Sequence, residues 1–237
     1  MNCRKHKPVH LFFTSLSVLL FVSFFIVEIC GAVEIPNPKW LNPVLVADKM
    51  VINGLPSVVY YFKVDRDVEK VLQFYRTKWQ MGEDGKTPGY KEVEADNWQI
   101  ISRLSDKRYL LTVQAKSLGT FSSTGYLAVG DLKNMEMKPS VGVDVPKMQG
   151  SKVTNDLTSY DPGKKGRTLM IVNDYSVQSN SAFYRKYYFD RNWSQLTDLP
   201  QQGGQVLAYR RFGKEAHLVI NKNFGSTQIV LLLIENL

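Results

Sequence analysis

The stretch Ser57-Val-Val-Tyr-Tyr-Phe-Lys-Val-Asp-Arg-Asp-Val-Glu-Lys-Val-Leu-Gln-Phe-Tyr-Arg76 decides the fold, because a second stretch follows the same plan. Shifted by 109 positions it lies without a gap over Gly166–Arg185, and Asp65, Val68 and Phe74-Tyr75-Arg76 meet Asp174, Val177 and Phe183-Tyr184-Arg185. Ser57–Val64 is rich in β-branched and aromatic residues and reads as a strand. Asp65 and Asp67 can cap a helix running to about Gln80. Val68, Val71, Leu72, Tyr75 and Trp79 then fall on one helical face, which predicts a helix packed against a sheet with Trp79 buried.

Outward from this core the two regions keep one order. A short strand, Lys49–Ile52, and an Asn53-Gly54 turn precede the first copy. A glycine-rich loop at residues 81–89 follows its helix. Further β segments are expected at Tyr90–Val93, Trp98–Leu104, Arg108–Lys116 and Gly125–Val129. A shift of 107 sets Asn97–Lys116 over Gly204–Asn223, and both regions end on related strands beginning Ser123-Thr124 and Ser226-Thr227. The common order is strand, strand, Asp-started helix with Phe-Tyr-Arg, loop, hairpin and last strand. The expectation is α+β: two tandem ββαβββ units, each an antiparallel sheet with one helix on one face, after an N-terminal signal or anchor segment. A period above 100 residues marks domains and excludes a solenoid. The expected boundaries are 1–32 (signal peptide or uncleaved anchor), 33–43 (extended linker), 44–133 (first unit), 134–150 (linker) and 151–237 (second unit). Ile229–Ile234 is apolar at both parities and is expected to be a central strand covered on both faces.

Residues 1–32 read as an export leader. Arg4, Lys5 and Lys7 form a positive start, residues 11–27 are apolar or hydroxyl-bearing, and Cys30-Gly31-Ala32 places small residues before a cleavage between Ala32 and Val33. The run exceeds a usual signal core and falls just short of a membrane span, so cleavage and a retained inner-membrane anchor both stand. Either route puts the body in a periplasmic or extracellular space, with the membrane as a partner through residues 11–27 if the leader is retained. Both cysteines and two of the three histidines lie in the leader, leaving His217 alone. Removing Arg4, Lys5, Lys7 and Glu28 leaves 27 basic and 21 acidic residues.

This inventory excludes chemistry. A cysteine-free body with one histidine cannot build a Cys/His zinc site, a two-histidine metal site or a thiol centre. There is no G-x-S-x-G elbow, Walker A loop, EF-hand loop or dinucleotide fingerprint. No cofactor is expected. Carboxylate-dependent hydrolysis needs only acids and stays open, although no pair is marked by spacing.

Two sets of residues stand out in the second region. Lys164, Lys165 and Arg167 adjoin one turn, and Arg210, Arg211 and Lys214 another, so together they could meet an anionic ligand or polymer. The second helix replaces Val71 and Leu72 by Asn180 and Ser181 and adds Tyr187, Tyr188 and Phe189. This reads either as a helix seated less deeply on its sheet or as a partner-facing aromatic surface. The paired sheet-and-helix units resemble bacterial envelope assembly factors in broad architecture, with no motif that carries a residue across. The expected function is an exported, non-enzymatic envelope protein that binds a protein partner or membrane complex through its sheet edges and second helix. Its rivals are an anion-binding module and a hydrolase. Nucleic acid is not an expected partner of an exported chain.

Overall fold

A computed structural model describes residues 35–82, 84–95, 97–136, 141–223 and 225–237. The leader and the Ala32–Val33 junction lie outside them. The first half runs β1 (Val44–Ile52), β2 (Leu55–Val64), α1 (Val68–Lys78), β3 (Lys91–Ala95), β4 (Trp98–Ser105), β5 (Tyr109–Gly119) and β6 (Ser122–Asp131). The second runs β7 (Lys152–Asp161), β8 (Lys164–Asn173), α2 (Val177–Phe189), β9 (Ser194–Gln201), β10 (Gly204–Arg211), β11 (Lys214–Asn223) and β12 (Ser226–Asn236).

Among the described residues the structure is mostly antiparallel sheet with two α-helices. All twelve strands form one sheet, in the order β3-β4-β5-β6-β2-β1-β7-β8-β12-β11-β10-β9. Each half therefore holds four strands after its helix: in the first half these fall on the four expected segments, one more than the ββαβββ formula counts, whereas β9, the outer strand of the second half, was not expected. The two expected sheets are continuous, because Met50, Val51 and Ile52 of β1 pair with Ser159, Thr158 and Leu157 of β7.

Turn chemistry sets the register. Asn53 and Gly54, and likewise Asp106 and Lys107, have positive φ, as the tight turns between twisted antiparallel strands require. Asp67 caps α1, its side chain accepting from the Lys70 backbone N–H. The second helix departs from expectation: its cap is Ser176, not Asp174.

The Phe-Tyr-Arg triplet does the same work twice. Tyr75 and Tyr184 are buried, with Phe74 and Phe183 against them at 5.1 Å, near perpendicular. Arg76 grips Glu92 of β3, and Arg185 grips Asp198 of β9, tying each helix to the outer strand of its half. Trp79 is 2% exposed and continues the α1 face through Tyr75. The segments expected as linkers supply core: Ile35 and Leu41 are buried beneath α1, and Val145 beneath α2.

Register shows that both helices lie on one face. Pro56 shares a face with Phe62, which packs in the α1 core. Pro56 pairs with Val51, Val51 with Thr158, and Thr158 with Arg167. Arg167 shares a face with Leu169 and Ile171, which pack in the α2 core. The opposite face carries no described α-helix, although Ala47, Met50 and Val59 form a small buried cluster there with Ile52, Ala128 and Leu157 packed against it. Strand β12 is central but covered on one side only: Ile229 and Leu231 are buried under α2, while Val230 and Leu232 on the reverse are half-buried. The expectation of double cover missed that a strand can be apolar on both faces with one face open.

Candidate functional site

The six basic residues divide by face and partner. Arg167 makes two hydrogen bonds to Asp156, at 2.6 and 2.9 Å, and also donates to the Val143 carbonyl. Burial raises the Asp156 pKa, but the Arg167 hydrogen bonds and the Gly142 N–H outweigh it and hold the carboxyl below its ordinary value. Arg210 lies on the helix-free face and pairs with Glu215, which also meets His217 at 3.0 Å. Lys214 pairs with Glu235 at 2.6 Å. The fold thus answers three of the six cations with its own carboxylates.

Adjacent in-strand residues face opposite ways, so Arg211 leaves Arg210 and joins the helix-bearing face. There register lines up Arg211, Lys214, Glu235, Lys165 and Tyr160 across five strands. The Lys165 ammonium lies over the Tyr160 ring at 5.7 Å, and the Arg211 guanidinium over Phe212 at 5.4 Å. Three cations share one carboxylate in this row, with Lys164 exposed beside it. Arg211 Nε is buried without a hydrogen-bond partner.

The three aromatic residues of α2 do not act together. Tyr188 is 1% exposed, stacked on Tyr209 at 4.4 Å and edge-on to Trp193, so it is core and cannot face a partner. Tyr187 is half-buried with the Arg191 guanidinium 3.8 Å from its ring centre. Only Phe189 is open, 79% exposed at the helix end. Helical geometry explains the split: three successive positions point 100° apart, so they cannot share one side. Nor does α2 sit less deeply. Asn180 and Ser181 are fully buried, and Asn180 exchanges side-chain amide hydrogen bonds with Asn173 at 2.9 and 3.0 Å. Burying these amides is tolerable because each satisfies the other.

Two depressions lie on the helix-bearing side. One, of about 180 Å³, is lined by Asp156, Thr158, Tyr160, Lys165, Arg167 and Glu136 with apolar neighbours. The other, of about 630 Å³, opens between the start of α2 and the β9–β10 hairpin, and no carboxylate lines it. Asp156, the buried acid of the first, is already engaged by Arg167 and Gly142. Among the described residues no group of three or more His, Cys, Asp or Glu could hold a metal, and no helix is long and apolar enough to cross a membrane.

The feature that sequence reading missed is the helix-free face. In the second half Met170, Val230, Val219, Val206 and Leu199 lie in one register row across five strands. All are partly or fully accessible, and Leu199 is 60% exposed. In the first half the matching row is Tyr61, Tyr126, Gln114, Ile100 and Val93. The alternation within each strand was readable, but a row spanning five strands exists only once pairing is known. Comparison with family models, curated proteins and solved structures finds no match to the chain.

Proposed function

We propose that this is an exported, non-enzymatic interaction module of a bacterial-type cell envelope, built from two copies of one ββαββββ unit. The duplication reading rests on the two strand orders, 3-4-5-6-2-1 and 9-10-11-12-8-7, together with the twice-used Phe-Tyr-Arg triplet and its arginine grip on the outer strand. The export reading rests on the leader composition.

The observation that carries the interaction reading is the aliphatic row Met170, Val230, Val219, Val206 and Leu199 on a sheet face that no described helix covers. Aliphatic side chains side by side on an open sheet are kept where another surface excludes water from them. An envelope protein with an apolar face fits this row better than it fits the sheet edges. Edge strand β3 carries Lys91, Glu92 and Glu94, and edge strand β9 carries Pro200, both of which discourage strand addition. Phe189 is the remaining partner contact offered by α2.

The test is affinity purification of the tagged protein from detergent-solubilised envelopes, beside the Val206→Glu/Val219→Glu variant. A stoichiometric partner retained by the wild type and lost from the variant supports the reading. Equal retention by both places the interface elsewhere.

A second reading, an anionic ligand at the turns of the second half, draws on the row Arg211, Lys214, Glu235 and Lys165, with Lys164 beside it. Its test is Lys164→Glu/Lys165→Glu. Loss of salt-sensitive binding to heparin supports it, and unchanged binding removes it.

A further inference from the structure

The helix-free face of the first half differs in kind from that of the second. Trp98, Tyr126 and Tyr61 form a continuous strip there, with ring centres 5.9 Å apart between Trp98 and Tyr126 and 5.7 Å between Tyr126 and Tyr61. The two tyrosines are 38% and 37% exposed. The Lys116 ammonium lies 4.7 Å from the Trp98 ring centre, and register continues from Lys116 through Thr124 to the exposed Lys63. Lys91 shares this face, and Phe121, 76% exposed, stands in the β5–β6 turn at the same end of the sheet.

Charge is segregated on these strands. Across β3, β4, β5, β6 and β2, register places Lys63, Lys91 and Lys116 on the helix-free face and no Asp or Glu. The acids Glu92, Glu94 and Asp131 fall on the other face. Position for position, the second half has Met170, Val230 and Gly204 for the three aromatics and Val172 and Asn221 for Lys63 and Lys116. The second half reaches the same strand order without these residues, so that order does not require them.

We propose that this strip binds an anionic polysaccharide, one bearing carboxylate or sulfate groups. Ring faces take up the apolar C–H faces of sugar rings, Gln114 offers hydrogen bonds to hydroxyls beside the mutually bonded Ser102 and Thr112 hydroxyls, and the lysines meet the anionic groups as point charges. Charge complementarity favours an anion, because across these five strands the described residues of this face include three cations and no acid. Two features favour a glycan over a single-stranded nucleic acid. The face carries no arginine across these five strands, the residue that both pairs with phosphate and stacks on bases. Its neighbouring rings are also inclined by 36° and 59°, so they offer no common plane for stacked bases. The strip is separate from the aliphatic row and from the basic turns, and it stands or falls independently of both.

The test titrates the exported protein with polygalacturonate, following tryptophan fluorescence and affinity electrophoresis, with neutral dextran and oligo(dT) as comparison probes. Expected are binding to polygalacturonate that weakens with salt, at least about tenfold weaker binding for Trp98→Ala/Tyr126→Ala, and a shallower salt dependence for Lys63→Gln/Lys116→Gln. The lysine variant changes side chains outside the core, so it decides the matter if the aromatic variant fails to fold. Lys164→Glu/Lys165→Glu is expected to leave this binding unchanged. No binding to polygalacturonate, equal or tighter binding to oligo(dT), or unchanged affinity in the lysine variant overturns the proposal.

Discussion

Replacing Asp156 by Ala breaks an ion pair whose acid is nearly buried, with a side chain 7% exposed. Asp156 accepts two hydrogen bonds from Arg167 and one from the Gly142 N–H, so it fastens the segment before β7 to the sheet. Removing one partner of a fully buried pair costs about 3–5 kcal/mol. Arg167 is 22% exposed and can recover some hydration, which brings the expected loss to about 2–3 kcal/mol. For a body of roughly 200 residues that is a fall in Tm of about 4–12 °C. The sign with pH follows from the depressed carboxyl pKa. The contribution is present above the unfolded-state value and is lost as pH falls through the lower folded-state value. The gap between wild type and Asp156→Ala in urea denaturation is therefore widest near neutral pH and closes in acid. A gap below about 0.5 kcal/mol at pH 7, where only an exposed pair would fall, or one that does not narrow below the ordinary Asp range, would show that this pair does not hold the segment to the sheet.

Three further outcomes follow from the cores and the leader. Trp79→Ala is expected to destabilise by about 3–5 kcal/mol in chemical denaturation, whereas Phe189→Ala changes stability by less than about 0.5 kcal/mol. Asn180→Ala leaves the Asn173 amide short of its partner and costs about 1–3 kcal/mol by the same measurement; replacing both asparagines recovers part of that loss. If residues 1–32 direct export, mass spectrometry of the product is expected to give a chain starting at Val33; a membrane-bound full-length chain supports an anchor instead, and a soluble cytoplasmic product contradicts both.

Local features of the fold were legible because they are written in adjacent residues. The Asp67 cap, the Asn53-Gly54 turn and the buried face of α1 ending at Trp79 follow from spacing alone. What was not legible depends on partners distant in sequence. The pairing of Met50 with Ser159 joins residues more than 100 positions apart, and no local pattern announces that one sheet will result. The same limit hid the aromatic strip, since Tyr61, Trp98 and Tyr126 come from three strands. The basic residues misled for a related reason. Arg167, Arg210 and Lys214 look available in sequence, but their carboxylates arrive from the strand pairing. The cluster Tyr187-Tyr188-Phe189 looked like one surface because it is contiguous, and helical rotation separates it.

The most direct test of the account places a photoreactive amino acid at Val219, at the centre of the aliphatic row, and a control at Lys70, exposed on α1. After irradiation of intact envelopes, a discrete higher-mass adduct is expected from position 219 and none from position 70. No adduct at 219, or the same adducts from both positions, would contradict the claim that the helix-free face is where this protein meets its partner.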